Sequence, residues 1–93
     1  MPEKNGMEFM IEFVREYLSG ELSRMDFDLD FNHYLIKHYP IMERQNTELA
    51  ECFYFYLAEG GFDQVIGLSD AQHKKLIRRQ FSQFEAVMRD GIY

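Results

Sequence analysis

The chain has 93 residues, of which 46% are hydrophobic, 16% aromatic and 28% charged, with a formal net charge of -6. A chain of this size buries roughly 65% of the surface its unfolded form exposes, and the composition excludes a disordered tail, a collagen-like chain and a disulfide-stapled miniprotein. The single cysteine cannot form an internal bridge, which points to a reducing, cytoplasmic compartment. No apolar run is long or clean enough for a signal peptide or a membrane span, and the negative balance argues against nucleic acid as a partner, because phosphates need a basic face.

Met7, Met10, Ile11, Val14, Tyr17 and Leu18 recur at helical spacing, with Glu8, Glu12, Arg15 and Glu16 on the other side. This predicts a helix over 7–18, stopped at Ser19-Gly20. Ser23 is an N-cap with Asp26 three residues on, and Leu22 and Phe27 fit a hydrophobic staple. A second helix over 24–38 then places Phe27, Phe31, Tyr34, Leu35 and His38 on one side. The stretch from Met25 to Phe31 also alternates with period two, as a strand would, but its length and capping favour the helix, and Pro40 marks its expected end.

Asn46 or Thr47 caps a third helix over 46–59, which ends at Gly60-Gly61. Its centre, Cys52 to Leu57, is uncharged, so this helix is expected to be apolar nearly all round and central to the core. A connector from Phe62 to Leu68 is expected to pack on the bundle through Val65 and Ile66. Ser69 with Gln72 forms a capping box for a last helix over 70–89, with Leu76, Ile77, Phe81, Phe84, Val87 and Met88 in register and Gly91 as its stop. Four helices with short connections predict an all-α fold: a single domain over 1–93, built as an antiparallel four-helix bundle.

The chemistry-bearing motifs read mainly as structural. Asp26-x-Asp28-x-Asp30 resembles the start of a calcium loop, but Phe31 and Lys37 stand where the loop needs glycine and glutamate, so no metal site is expected. His33 and His38 are five apart, not four, and His38 suits a helix C-terminus near Tyr39. Cys52 sits in the most apolar helix as a structural thiol. No glycine elbow, phosphate loop or paired nucleophile surrounds any serine, so neither an enzyme nor a cofactor site is expected. The basic run His73 to Arg79 reads as a solvated face balancing nearby carboxylates.

Charge is distributed unevenly. Residues 1–63 carry thirteen acidic and five basic side chains, whereas residues 64–93 carry three acidic and five basic. Such a surface suits a basic partner, since opposite potentials raise association rates. In this setting the stretch from Phe13-Val14-Arg15-Glu16-Tyr17-Leu18-Ser19-Gly20 through Glu21-Leu22-Ser23-Arg24-Met25-Asp26-Phe27 resembles the opening of the colicin D-type, or self-protective colicin-like, immunity proteins. The shared features are a short helix, a small-residue turn, and a Ser/Thr-capped helix with an early aromatic.

The resemblance implies a small bundle that blocks a basic tRNase-type toxin domain, with carboxylates standing in for substrate phosphates. It places that role at the end of the third helix and in the loop after it, on Glu59 and Asp63. Glu51, two turns upstream of Glu59, extends the same face together with Glu48. The connector here holds one acidic residue, where the family's loop is richer, and the basic cluster from Lys74 departs from the pattern. A second expectation is a helical adaptor or homodimer, based on the surplus aromatics Phe9, Phe55, Phe62 and Tyr93.

Overall fold

Helix starts are set by small polar side chains that satisfy otherwise orphaned backbone donors. In the computed structural model, which describes residues 6–61 and 67–90, Ser23 opens helix α2 (Arg24–Gln45) by accepting the Asp26 N–H at 3.1 Å. Ser69 opens helix α4 (Asp70–Arg89) with a complete capping box. Its hydroxyl accepts from the Gln72 N–H at 3.2 Å, and Gln72 Oε1 accepts from the Ser69 N–H at 2.9 Å.

Helix α1 (Met7–Ser19) ends at Gly20, whose φ of 91° lets the Glu21 N–H turn back to the Glu16 carbonyl at 2.9 Å. Asn46 serves two helices at once. Its N–H closes α2 on the Met42 carbonyl, and its side-chain oxygen accepts from the Leu49 N–H at 3.1 Å to open helix α3 (Thr47–Phe53). Helix α3 runs directly into a π-helical turn, Tyr54–Glu59, closed by the Gly60 N–H on the Phe55 carbonyl five residues back. Among the described residues there are four helices and no strand, and the fold is the all-α four-helix bundle that the periodicity predicts.

The core is aromatic and sealed. Met10, Val14, Phe27, Phe31, Met42, Phe53, Leu57, Ile77 and Phe84 have no exposed surface. Phe27 stacks on Tyr17 at 4.4 Å and on Phe13 at 5.5 Å, and Phe53 meets Phe84 edge-on at 5.2 Å. Phe13 lies outside the stripe read from the sequence, yet it is buried, whereas Ile11 and Leu18 are only half-buried.

Three expectations are corrected. The first concerns α2, which does not end near residue 38 but continues through Pro40 to Gln45. Proline removes one N–H and crowds the carbonyl four residues back, here that of Ile36. Pro40 is on the exposed side of the helix, where water can serve that carbonyl, while Met42 beyond it is fully buried.

The second concerns His38, which is not a terminal cation. It lies inside α2 and is buried, with Phe9 stacked on it at 4.1 Å, and its Nδ1 accepts the Gly6 N–H at 3.1 Å. Burial, and then the nearby Lys37 charge, hold its pKa below the usual value, so it stays neutral and able to accept. Gln45 Oε1 accepts the next donor, Met7 N–H, at 3.0 Å. The first donors of α1, which has no side-chain cap of its own, are therefore capped by the far half of α2.

The third concerns the third helix, which is buried on one side only, through Ala50, Phe53, Leu57 and Ala58. Tyr54 is 40% and Phe55 53% exposed. The connector's Val65 and Ile66, and the Gly91 stop, lie outside the described residues.

Gly6 is tied to this cap. Its φ is 65°, and a Cβ there would sit 2.6 Å from Gln45 Oε1 and 2.8 Å from Ile41 Cγ2. Gly6→Ala is expected to destabilise the fold by about 1–3 kcal/mol. Urea denaturation measures this, and an unchanged midpoint would show that the end of α2 does not anchor α1.

Candidate functional site

The two capped helix starts bring Arg24 and Asp28 of α2 against His73 in the first turns of α4, with Tyr17 of α1 on the far side. Tyr17 Oη and His73 Nδ1 are 2.5 Å apart. His73 Nε2 lies 3.3 Å from Asp28 Oδ1, without the alignment of a full hydrogen bond, and neither atom has another partner among the described residues. Asp28 Oδ2 is 3.5 Å from Arg24 Nε. The same guanidinium donates to the Leu68 carbonyl at 2.7 Å and pairs with Asp70 at 3.0 Å.

Tyr17 is 1% exposed and His73 not at all. Burial lowers the His73 pKa, opposed by Asp28 and reinforced by Arg24, and burial raises that of Tyr17. The arrangement consistent with these directions is neutral. The Tyr17 hydroxyl donates to Nδ1, and the Nε2–H points toward the Asp28 carboxylate. Asp–His–Tyr is the order of a proton relay; here the phenol and imidazole are sealed in the core while the Asp28 side chain is 37% exposed, and the three groups tie three helices together. A cleft above it is lined by Tyr17, Ser23, Arg24, Asp70 and Lys74, and the Lys74 ammonium lies 5.1 Å from the centre of the Tyr17 ring.

The carboxylates singled out in the sequence lie elsewhere. Glu48, Glu51 and Glu59 are all exposed, along one side of α3 and the π-helical turn, with Phe55 among them and Tyr54 beside Glu51. Tyr54 packs edge-on against Tyr39 at 5.7 Å. The Tyr39 pKa is raised by its burial and then by the charges of Glu43 and Glu51. Glu59 shares a shallow cleft with Phe55, Arg79, Gln80 and Gln83. Asp63 lies outside the described residues.

A second acidic region was not assigned from the sequence. A cleft of about 830 Å³ is lined by Glu8, Glu12, Glu16 and Glu21 together with Met7, Ile11 and Met88.

The basic run of α4 is not one patch. His73 is buried, Lys74 covers Tyr17, Arg78 donates to the Leu18 carbonyl at 3.0 Å, and Lys75 and Arg79 are exposed. Of the aromatics expected to be surplus, Phe9 packs against Tyr34 and His38 and only Phe55 is exposed; Phe62 and Tyr93 lie outside the described residues. Cys52 is half-buried. Among the described residues, no group of three or more His, Cys, Asp or Glu side chains is placed to hold a metal ion, and no helix is long and apolar enough to cross a membrane.

Sequence reasoning missed the Tyr17–His73–Asp28 node. A signal was present, because His73 precedes Ile77, Phe81 and Phe84 by four, eight and eleven residues and so lies on the buried stripe of α4. No family model, no curated protein and no solved structure matches the chain.

Two outcomes follow from the node. Tyr17→Phe leaves a buried acceptor without its donor and is expected to destabilise the fold by about 1–3 kcal/mol in chemical denaturation. His38 and His73 both have folded pKa values below the 6.5 of the free side chain, so the unfolded chain takes up their protons first as pH falls. Their contribution is complete above that value and is lost below it. The melting temperature should therefore drop between about pH 7.5 and about pH 5.5, and a constant or rising value would contradict the neutral assignment.

Proposed function

We propose that this chain is a non-catalytic, immunity-type binding protein, acting in the cytoplasm, that blocks a basic nuclease toxin domain of tRNase type through the carboxylate face of its third helical segment. The observation that carries the reading is the π-helical turn Tyr54–Glu59. There Tyr54 and Phe55 are held outward, 40% and 53% exposed, beside Glu48, Glu51 and Glu59. The π turn ends this helical segment at Gly60 with both aromatics on its outer side. Exposed aromatics supply the anchors typical of protein interfaces, and carboxylates around them select a basic partner.

The mechanism is steric and electrostatic. The acidic half of the chain steers encounter with a positively charged cleft. Once docked, the carboxylates occupy the positions that substrate phosphates would take, and the aromatic pair excludes water around them. One further observation supports binding over catalysis: the histidines with shifted pKa values, His38 and His73, are sealed in the core.

Replacing Glu48, Glu51 and Glu59 together by Lys is expected to weaken binding to a basic tRNase-type toxin domain by at least about 100-fold, roughly 3 kcal/mol. Calorimetric titration and an RNA-cleavage assay read the effect, with the melting curve unchanged. Full protection by the triple variant would remove the assignment.

A further inference from the structure

Helix α2 carries a second apolar stripe that the bundle does not use. Its inner side buries Phe27, Phe31, Leu35, His38 and Met42. On the outer side, Met25, Leu29 and Ile36 are 72%, 70% and 68% exposed, the largest exposures of any large hydrophobic side chain among the described residues. Spacings of four and seven set these three in one line along the helix. Leaving three such side chains in water forgoes their burial energy with no gain to the fold.

The charges flanking this line are ordered. Asp26 and Asp30 lie along one side of it in the first half of the helix, and Lys37 and Arg44 continue the same side in the second half. None of the four is in an ion pair within the chain among the described residues. An acidic half followed by a basic half along one flank is complementary to itself when the helix is reversed. In an antiparallel pair of α2 helices, equivalent flanks face each other. Asp30 of one copy then lies across from Lys37 of the other and Asp26 toward Arg44. In the apolar line Leu29 lies across from Ile36, and the two-fold axis passes near Asn32 and His33. In a parallel pair this flank would meet the opposite flank of the other copy, and its acidic-to-basic order would find no complement.

We infer that the outer face of α2 is a homodimer interface, in which two copies pair antiparallel through Met25, Leu29 and Ile36 about a two-fold axis near Asn32 and His33, with Asp30–Lys37 ion pairs across it. The occupant is a second copy of this chain and not a uniformly basic partner, because the flank carries both signs in equal number. The net charge of -6 on each copy opposes association, so the apolar line must supply the attraction while the ion pairs fix the direction. The face lies on α2, whereas Glu48, Glu51 and Glu59 lie on α3 and the π-helical turn.

Sedimentation velocity on the full chain tests this over about 10–200 μM, the range in which a modest two-fold interface is populated. The wild-type protein is expected to sediment as a dimer in the upper part of the range. Leu29→Glu with Ile36→Glu, both at exposed positions, should be monomeric throughout with an unchanged circular dichroism melt. Asp30→Lys alone sets Lys against Lys37 and should weaken the dimer by about ten-fold or more, whereas Asp30→Lys combined with Lys37→Asp restores opposite pairs in both copies and should recover it to within about three-fold. The proposal is overturned by a wild-type monomer across the whole range, by a dimer that survives the two glutamates, or by a charge-swapped protein no better than the single variant. The Glu48, Glu51 and Glu59 variant should remain dimeric, so failure of the toxin reading and failure of this interface are separable.

Discussion

The hydrogen bond between Tyr17 and His73, backed by Asp28, is the constraint around which the bundle is arranged. A buried imidazole is costly unless its polar atoms meet partners; here the Tyr17 hydroxyl bonds Nδ1, and the Asp28 carboxylate faces Nε2 at 3.3 Å. Apolar contacts such as Phe27 on Tyr17 and Phe53 on Phe84 would permit some sliding between helices. A 2.5 Å contact does not, so the node sets the height of α4 against α1 and of both against α2. Arg24 extends the constraint to the surface by bonding the Leu68 carbonyl and Asp70 at the mouth of α4. The caps at Ser23 and Ser69 matter beyond their local hydrogen bonds, because they fix which residues of α2 and α4 arrive at the node.

The opposite end of the bundle is held by a different device. Helix α2 passes through Pro40, and its continuation brings Gln45 to the Met7 N–H at the start of α1, next to the Gly6 N–H that His38 accepts from before the proline. Local preference would have ended the helix before the proline. The tertiary return outweighs that preference: beyond the proline Met42 is buried and Gln45 satisfies an orphan donor of α1. Both histidines that serve these ends must be neutral to do so, and burial keeps them neutral. The two ends of the fold therefore share one dependence on protonation.

With the core closed by these contacts, the side chains it leaves outside define what the molecule can meet. The π-helical turn leaves Tyr54 and Phe55 among carboxylates, and the outer side of α2 leaves Met25, Leu29 and Ile36 beside ordered charges. The two surfaces differ in kind. One is acidic with aromatic anchors and suits a basic partner; the other has balanced signs and suits its own copy. A bundle this small can carry both because each uses the unburied side of a helix whose other side already builds the core.

The sequence by itself determined the four helices, their caps and most of the inward stripes, because capping and periodicity are local properties of the chain. Ser23, Gly20, Asn46 and the Ser69–Gln72 box act in the structure as their residue types dictate. It also marked Glu48, Glu51 and Glu59 as charge on one side of a helix. The period-two pattern from Met25 to Phe31, which first looked strand-like, turns out to be two helical stripes, Phe27 and Phe31 inward and Met25 and Leu29 outward. Only the tertiary structure decided which stripe was core, because burial depends on what a neighbouring helix presents. It likewise carried α2 past Pro40, opened the third helix into a π turn with its aromatics exposed, and made His73 a buried partner of Tyr17, fifty-six residues away. Each of these outcomes rests on contacts between segments distant in sequence, whose energies no local pattern contains.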